Sequence, residues 1–201
     1  MTAPNYYQAL SNITKVLGLR LDLESCLKAV AAHIDHVVSW DKIEITLFLS
    51  ELDSFQFYAV ETKYADPLLR ADSLIHRTGS ALGWVYEHRE PHLRSELQQE
   101  QQFIEDSSYC KEGLSRMINL PLLIGDKCLG TFNVGSCELG QPTQEEVSFL
   151  AQVATLLGLL VENELINEQF AGGQKEVKWE GGEGLSEAMT KSDSLGGMVG
   201  Q

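Results

Sequence analysis

The sequence has few basic residues for its length. Its 201 residues include 15 lysines and arginines against 29 aspartates and glutamates, which gives a formal net charge of -14 at pH 7. A protein of this charge repels phosphate backbones, and no basic stripe runs along the chain. We therefore expect no direct binding of nucleic acid by this chain.

Cysteines and long apolar runs are also scarce. The four cysteines lie far apart and form no C-x-x-C pair, so neither a zinc framework nor a disulfide scaffold is predicted. The first residues lack a basic region followed by an apolar core, and nowhere do 18 apolar residues follow one another. A signal peptide or a membrane-spanning helix would need such features. These absences predict a cytoplasmic protein with reduced thiols and no membrane contact.

Length and composition favour one folded domain followed by a tail. The chain is 43% hydrophobic and 22% charged, values typical of a soluble globular domain. Residues 171–201 hold many glycines and few large apolar residues, a composition typical of flexible linkers. We predict a folded domain over residues 1–170 and a flexible Gly-rich linker over residues 171–201, leading to a C-terminal output module.

Periodicity places helices at both ends of the domain. Apolar residues recur at helical spacing over residues 6–17, and a second helix begins at Asp22, a favourable N-cap. Near the other end, Thr143 and Glu146 have capping-box spacing ahead of an apolar stripe that ends near residue 170. The stripe approximates an a/d seam and is wider than one sheet contact requires. We predict a homodimer through the terminal helices, with a purely intramolecular helix as the alternative.

Two antiparallel strand pairs are predicted between these helices. Over residues 42–49 isoleucines and leucines alternate with polar residues such as Glu44, which predicts a half-buried strand, and residues 55–60 pair with it. Apolar residues flank Gly125 and Asp126, which together favour a tight hairpin turn. Between the pairs we predict a loop over residues 61–78, a short helix over residues 79–88 and a solvated rim helix over residues 95–108. This order of elements indicates an α+β domain.

Several motifs in the same order resemble the GAF domain family. A "Ser, apolar, Pro-Leu" strand, a turn with Gly and a "Leu-Gly-apolar-Asn-apolar" strand recur in that family. The matching positions here are Ser115, Pro121, Leu122, Gly125, Gly130, Asn133 and Gly135. Residues 79–85, followed by Pro91, resemble the family's helix ahead of the ligand pocket. The resemblance spans residues 5–170 and implies a GAF fold, with a central antiparallel β-sheet, N- and C-terminal helices packed on one face and a ligand pocket on the other.

The tail carries a second, shorter resemblance. Residues 194–201 are similar to the entry into the AAA+ domain of sigma-54-dependent activators. Together the two resemblances imply a small-molecule-sensing domain that controls an attached output module in bacterial transcription regulation. The alternative is a ligand-free dimerisation scaffold of a signalling protein such as a sensor kinase.

Six residues are candidate ligand contacts. They are Trp84, His92, Tyr109, Cys110, Arg116 and Asn119, which combine apolar bulk with a few polar groups as small-molecule sites require. Arg116 suits a carboxylate through two parallel hydrogen bonds. Strand alternation either points it into a buried site or leaves it solvated at the sheet edge, and we favour the edge. The identity of the ligand and of any cofactor stays open.

Cys110 also suggests an enzymatic alternative. It lies near the position at which GAF-fold free methionine sulfoxide reductases carry their reactive cysteine. Such an enzyme resolves a sulfenic acid with a second thiol, and the one upstream candidate, Cys26, belongs to a helix assigned to the other face. We therefore predict no enzymatic activity and no catalytic residue.

Metal binding is a minor alternative. His33 and His36 are three residues apart on a predicted helix but lack a third ligand. Some GAF sensors of activators bind non-haem iron, and by that resemblance Asp106, Cys110 and Arg116 are conceivable ligands. We do not predict a metal site.

Overall fold

The structure is a computed structural model that describes residues 5–19 and 21–176, with side chains up to residue 167. The chain divides into two compact units, Met1–Glu162 and Asn163–Gln201. The linker is predicted over residues 171–201, and its part from residue 177 onwards, with the tail motif at residues 194–201, lies outside the described residues. The boundary near residue 170 therefore stays a prediction.

Five helices and six strands are described. The helices are α1 (Tyr6–Leu17), α2 (Leu23–Ile34), α3 (Ala81–His88), α4 (Asp106–Lys111) and α5 (Gln144–Glu176). The strands are β1 (Lys42–Leu49), β2 (Ser54–Thr62), β3 (Leu74–His76), β4 (His92–Arg94), β5 (Arg116–Ile124) and β6 (Lys127–Ser136). The strands form one sheet in the order β3-β2-β1-β6-β5-β4, and all neighbours are antiparallel. The predicted α+β class is confirmed.

The predicted helix starts are confirmed by their caps. The Asp22 carboxylate accepts the backbone N–H of Ser25 at 2.8 Å, ahead of α2. Before α5, the Glu146 carboxylate accepts the backbone N–H of Thr143 at 2.6 Å, and the Thr143 hydroxyl accepts the backbone N–H of Glu146 at 3.2 Å. This reciprocal pair is the capping box that the spacing predicted. The helix that follows extends past the predicted end near residue 170.

Two predictions between the strand pairs are wrong, and one strand is missing from the prediction. The predicted loop over residues 61–78 contains β3, which pairs with β2. The predicted rim helix over residues 95–108 is mostly irregular, with α4 beginning only at Asp106, and its Leu97 is fully buried. The strand β4 was not predicted. Three-residue strands are too short to show a period of two. The segment 95–105 is held in part by backbone hydrogen bonds to distant residues, from Leu97 N–H to the carbonyl oxygen of Ser115 and from Ile104 N–H to that of Gly79.

Both faces of the central strand are buried, so the prediction that β1 is half-buried is also wrong. Ile43 and Ile45 project towards the layer of terminal helices, and both are fully buried. Lys42, Glu44 and Thr46 project to the opposite face and are also fully buried. The reason is that α3, α4 and their connecting segments cover this second face, which alternation alone suggests is solvated.

The helix α5 is long and apolar enough over Gln144–Asn167 to cross a membrane, by length and composition alone. Within the first compact unit, however, its Phe149, Leu150 and Leu157 are buried side chains of the domain core. The core helix of a soluble protein meets the same criterion. These buried residues of α5 therefore belong to the core of that unit.

Candidate functional site

A row of polar side chains crosses four neighbouring strands on the face under α3 and α4. Glu44 of β1 pairs with Asn133 of β6, Asn133 pairs with Asn119 of β5, and Asn119 pairs with His92 of β4. Directly paired residues project to the same face of a sheet. The Asn119 Nδ2 donates to Asn133 Oδ1 at 2.8 Å. We call these four residues the polar row.

Arg94 connects the polar row to α4. Its side chain is buried, its Nη1 pairs with the Asp106 carboxylate, and its Nη2 donates to Asn119 Oδ1 at 2.9 Å. The other Asp106 oxygen accepts the backbone N–H groups of Gln102 and Phe103, each at 2.9 Å. The Arg94–Asp106 ion pair therefore ties the irregular segment before α4 to the sheet.

Glu105 lies beside this ion pair and is fully buried. Its Oε1 accepts the backbone N–H of Ala81, the first residue of α3, at 2.8 Å. Its Oε2 has no hydrogen-bond partner among the described residues. Burial raises the pKa of Glu105 to about 7, although the charge of Arg94 opposes the shift. The carboxyl group is thus near its titration midpoint at neutral pH.

A second buried network surrounds Lys42, on the β1 side of the polar row. Its Nζ donates to Glu112 Oε2 at 2.8 Å and lies 3.0 Å from Glu44 Oε1. Glu112 also accepts the Tyr64 hydroxyl and two backbone N–H groups of the β2–β3 loop. The Tyr109 hydroxyl of α4 donates to Glu44 Oε2 at 2.8 Å. Burial raises the pKa of Glu44 and of Tyr109, and the charge of Lys42 opposes the shift at Glu44.

Some buried polar atoms of these networks have no hydrogen-bond partner within the described residues. They are Glu44 Oε1, His92 Nε2, Arg94 Nε, Glu105 Oε2 and Asn133 Nδ2. The Glu44 oxygen is held by the charge of Lys42, so four atoms remain without a partner. Buried polar atoms are nearly always paired in native proteins, and each unpaired one costs about 1–3 kcal/mol. Within the described residues, the face under α3 and α4 therefore holds four polar atoms with unused hydrogen-bonding capacity.

Aromatic rings close the outer end of the polar row. The Trp84 ring stacks on His88 at 4.1 Å and on His92 at 4.5 Å between centroids, and Phe103 meets His92 edge to face at 5.3 Å. Trp84, Phe103 and Arg77 also line a surface groove of about 200 Å³. Burial lowers the pKa of His92, so its ring is neutral at neutral pH. The two larger rings thus separate the groove from His92.

Apolar side chains fill much of the remaining space over this face. They are Phe55, Phe57, Leu69, Leu82, Leu97, Leu114 and Met117, together with the ring of Tyr109, and all are buried. A guest molecule must therefore displace side chains to reach the polar row.

The structure brings four of the six candidate contacts to this face. Trp84 and His92 belong to the ring stack, and Asn119 and Tyr109 belong to the two networks. Cys110 follows Tyr109 on α4 but is half-buried, and its thiol donates to the carbonyl oxygen of Leu97 at 3.4 Å. Burial, followed by the charge of Asp106, raises the pKa of Cys110, which disfavours a reactive thiolate.

Arg116 lies on the opposite face from the other candidates. It precedes Met117 on β5, so alternation points it away from the face that holds Asn119. Its guanidinium is buried, donates to the carbonyl oxygen of Ser39 at 3.3 Å and lies 3.9 Å from the Glu138 carboxylate. The preferred interpretation of Arg116 as a solvated edge residue is therefore wrong. The segment before β1 and the residues after β6 cover it.

Three residues of the site were not singled out as candidates. Strand alternation predicts a solvated side chain for Glu44, and Glu105 lies in the predicted solvated helix. Arg94 lies between the predicted helices and strands. Asn133 appeared only as a family motif position. One signal pointed to it, since Asn133 and Asn119 lie on opposite arms of the hairpin that turns at Gly125.

The metal candidates do not form a site in the part of the chain that the structure describes. The His33 and His36 rings lie 6.4 Å apart between centroids, on or beside α2. Among the described residues no group of three or more His, Cys, Asp or Glu side chains is arranged to hold a metal ion. Asp106 and Cys110 both belong to α4, on the other side of the sheet from Arg116, and each of the three has its own hydrogen-bond partner.

The fold defines a domain of α+β architecture with a single antiparallel sheet. The chain belongs to the GAF domain family, since a family model described as GAF domain matches residues 21–162. The predicted family is confirmed.

Comparison with known proteins supports the family and adds one regulatory relative. The chain is 25% identical over 171 residues to the formate hydrogenlyase transcriptional activator FhlA of Escherichia coli strain K12. That match covers 82% of this chain, which spans only 24% of the relative's length.

Solved structures share the fold. The GAF domain of a phosphoenolpyruvate-protein phosphotransferase from Coxiella burnetii has a TM-score of 0.73 at 16% identity, over 84% of this chain and 99% of that chain. The free methionine-R-sulfoxide reductase of Neisseria meningitidis, solved with its substrate, has a TM-score of 0.64 at 18% identity, over 78% and 88% of the two chains. At these identities the likeness concerns the fold alone, so function must be argued from the site.

Proposed function

We propose that this chain is the sensory domain of a longer regulatory protein, that it binds a small molecule on the polar face of its sheet, and that binding controls an attached output module. One observation carries the proposal. Among the described residues, four buried polar atoms without hydrogen-bond partners lie on the α3 and α4 side of the sheet, on His92, Arg94, Glu105 and Asn133. Hydrogen bonds through Asn119 link two of these residues, Arg94 and Asn133. A core evolved for stability alone pairs such atoms or replaces them by apolar groups.

Entry of the ligand requires the aromatic rings at the outer end of the polar row to move. Trp84 and Phe103 line the surface groove on one side and contact His92 on the other. Separation of these rings opens a path to the polar row. Because the Arg94–Asp106 ion pair holds the backbone at Phe103, a ligand that binds Arg94 also acts on this segment. Binding at the sheet is in this way coupled to the position of α4.

The output is proposed to be transcription regulation. The name of the relative FhlA describes a transcriptional activator, and residues 194–201 resemble the entry to the AAA+ domain of sigma-54-dependent activators. In this proposal the protein is cytoplasmic, and the chain itself binds neither nucleic acid nor membrane. A homodimer forms through α1 and α5, on which Tyr7 is 82% and Leu159 is 49% exposed.

A second candidate function is a ligand-free dimerisation scaffold. The observation that favours it is the apolar filling over the polar face, where Phe55, Phe57 and Met117 are fully buried. Under this alternative, ordered waters satisfy the unpartnered polar atoms, and the domain only holds two copies together.

A third possibility is a reductase, because one solved neighbour in fold is a free methionine-R-sulfoxide reductase. We propose that this chain is not an enzyme, since burial raises the pKa of Cys110. The partner thiol considered from the sequence, Cys26, is buried on α2. If purified protein reduces methionine sulfoxide and the Cys110→Ser variant does not, this part of the proposal is wrong.

Native mass spectrometry and a thermal-shift screen test the sensory function together. The 201-residue chain is purified without refolding, and its native mass is compared with the denatured mass. We expect either a retained small molecule or a library compound that raises the melting temperature. Asn133→Leu, which removes one unpartnered donor, should lose the response, whereas Glu100→Gln on the exposed rim should keep it. A dimer without extra mass, stabilised by no compound, would favour the scaffold instead.

A further inference from the structure

A surface groove lies at the turn of the β5–β6 hairpin, beside the C-terminal end of α3. Its volume is about 490 Å³, which is within the range of small-molecule sites. Among the described residues, it has no lining residue in common with the polar row or with the groove at Trp84 and Phe103. The residues that line it are Tyr86, Arg89, Ile124, Asp126, Lys127 and Cys128.

The groove has an excess of positive charge. Arg89 and Lys127 are exposed, and neither belongs to an ion pair within the described part of the chain. By contrast, Lys42 and Arg94 each pair with a carboxylate. Asp126 also lines the groove but forms no ion pair with either cation among the described residues. Two cations therefore face one anion here, in a chain whose formal net charge is -14.

The backbone conformation of Arg89 indicates that its side chain has a function. The residue caps α3 with a φ of 58°, and its N–H donates to the carbonyl oxygen of Val85 at 2.8 Å. Helices often end with glycine in this left-handed conformation, because a side chain is strained there. The chain thus keeps a guanidinium where glycine would be less strained, and such positions are common at functional sites.

Uncharged side chains form the inner wall of the groove. Cys128 is 7% exposed, and its thiol donates to the carbonyl oxygen of Gly130 at 3.3 Å. The Tyr86 ring packs on Phe48 at 4.4 Å between centroids. Burial raises the pKa of the Cys128 thiol, while its hydrogen bond to Gly130 and the charge of Arg89 oppose the shift. The charge of Arg89 therefore acts inside the groove and not only in the solvent.

A small anion with a flat apolar body fits these walls. Two cations in one groove suit a phosphate monoester, which carries a charge of about -2 near neutral pH. A guanidinium binds phosphate oxygens through parallel hydrogen bonds, and a tyrosine hydroxyl is a further donor. A nucleic acid fits poorly, because its long backbone meets the net negative charge of the chain.

We propose that this groove is a second ligand site and that it binds a small organic phosphate. The phosphate group lies between Arg89 and Lys127, and the apolar body packs against Tyr86 and Ile124. Binding here does not require the polar row to bind anything, so this site and the sensory function can fail separately. No bond is made or broken in the groove.

Isothermal titration calorimetry of the whole chain tests the chemistry of the ligand. The probes are phenyl phosphate, inorganic phosphate, phenol and benzylamine, which separate the anionic group from the ring. We expect phenyl phosphate to bind about tenfold more tightly than each of the others, with a Kd that rises with salt concentration because the cations are exposed. Equal affinity for phenol or inorganic phosphate, or a preference for benzylamine, would overturn the proposal.

Substitutions of the two cations test the location of the site. Arg89→Gly should fold, because glycine suits the positive φ, and should raise the Kd for phenyl phosphate about tenfold. Lys127→Gln should raise it about threefold. Lys28→Gln removes an exposed cation from α2, outside the groove, and should bind like the wild-type protein. If all three variants bind alike, the groove is not the site.

The thiol of Cys128 reports occupancy of the groove. At about ten times its Kd, phenyl phosphate should slow alkylation of Cys128 by iodoacetamide about tenfold, as read by peptide mass spectrometry. Alkylation of Cys137, which is exposed and outside the groove, should not change. Protection of neither thiol in a protein that binds phenyl phosphate would contradict the proposal. If Cys128 does not react even in the free protein, the Kd values of the variants decide.

The variant Asn133→Leu distinguishes this site from the polar row. It should bind phenyl phosphate as the wild-type protein does. If Asn133→Leu loses binding while Arg89→Gly keeps it, the ligand binds at the polar row, which supports the sensory function and overturns this inference. If no organic phosphate binds, the second site fails and the sensory function is unaffected.

Discussion

The two faces of the sheet are both buried, but they are built from different chemistry. On the face towards the terminal helices, Ile43, Ile45 and Val134 form an apolar core. On the face under α3 and α4, neighbouring residues of the same strands are polar, and Glu44 and Asn133 are as fully buried as the isoleucines. Burial alone therefore does not distinguish the two faces.

The difference indicates which face the fold depends on. Apolar burial contributes about 25 cal/mol per Å² without demanding partners, whereas buried polar networks at best offset their own desolvation. Within the part of the chain that the structure describes, several polar atoms of this face have no hydrogen-bond partner. We infer that the apolar face supplies stability and that the polar face is retained for binding.

The largest effect is expected where the polar face carries an ion pair. Asp106→Ala leaves Arg94 as a buried cation without its carboxylate and should cost about 3–5 kcal/mol of unfolding free energy. Urea denaturation followed by circular dichroism measures this. Glu100→Ala, at an exposed rim position, should change the value by less than about 0.5 kcal/mol. A loss below about 1 kcal/mol for Asp106→Ala would mean that the ion pair is open to water.

A substitution on the apolar face should lower the free energy of unfolding without changing the affinity for the ligand. Leu157→Ala removes a fully buried side chain of α5 and should cost about 3 kcal/mol, with ligand affinity unchanged in the folded protein. Leu159→Ala on the same helix, where the side chain is 49% exposed, is the matched control and should cost under about 1 kcal/mol. If Leu157→Ala abolished binding while the protein stayed folded, the inference that one face stabilises the fold and the other binds the ligand would be wrong.

The polar face should make stability depend on pH. Because the pKa of folded Glu105 is about 7 and that of an unfolded glutamate is about 4.3, the folded state binds more protons between these values. Stability should therefore fall as the pH rises from about 4.5 to about 7, by up to about 3 kcal/mol. Glu44, whose pKa is also raised, acts in the same direction. Denaturant titrations across this range should show a smaller decline for Glu105→Gln than for the wild type, and equal declines would contradict the assignment.

The smallest effect on stability is expected where two buried hydroxyl groups form a hydrogen bond with each other. The Thr46 and Thr131 hydroxyls form a buried hydrogen bond of 2.6 Å on the polar face. Thr46→Val alone leaves one hydroxyl unpaired and should cost about 1 kcal/mol, whereas Thr46→Val with Thr131→Val should be within about 0.5 kcal/mol of the wild type. Thermal and urea unfolding of the three proteins make the comparison. A double variant much less stable than the single one would show that this polarity supports the fold itself.

Local signals in the chain predicted much of the architecture correctly. The caps at Asp22 and Thr143, the turn at Gly125 and the hairpin around it all depend on residues close in sequence. The motif order placed the chain in its family. Of the candidate contacts, Asn119 and Tyr109 lie in the networks of the polar face.

The composition of the polar face was not predictable in the same way. Glu44 alternates with isoleucines as an exposed residue would, and only coverage by α4 buries it. Arg94 and Glu105 sit in segments without periodicity, so no local pattern marked them. Arg116 shows the same error on the other face, since segments distant in sequence cover a residue expected at a solvated edge.

A single irregularity in the hairpin determines which residues meet on the polar face. The register shifts between Leu122 and Leu123, and this shift sets Asn119 opposite Asn133 and not opposite Phe132. A slip of one residue exchanges the two faces of a strand. Alternation, turn chemistry and helix caps act over a few residues and can be read along the chain. The shift, the coverage of β1 and the pairing of Arg94 with Asp106 arise only when distant segments pack together, because burial and partnership are properties of the assembled fold.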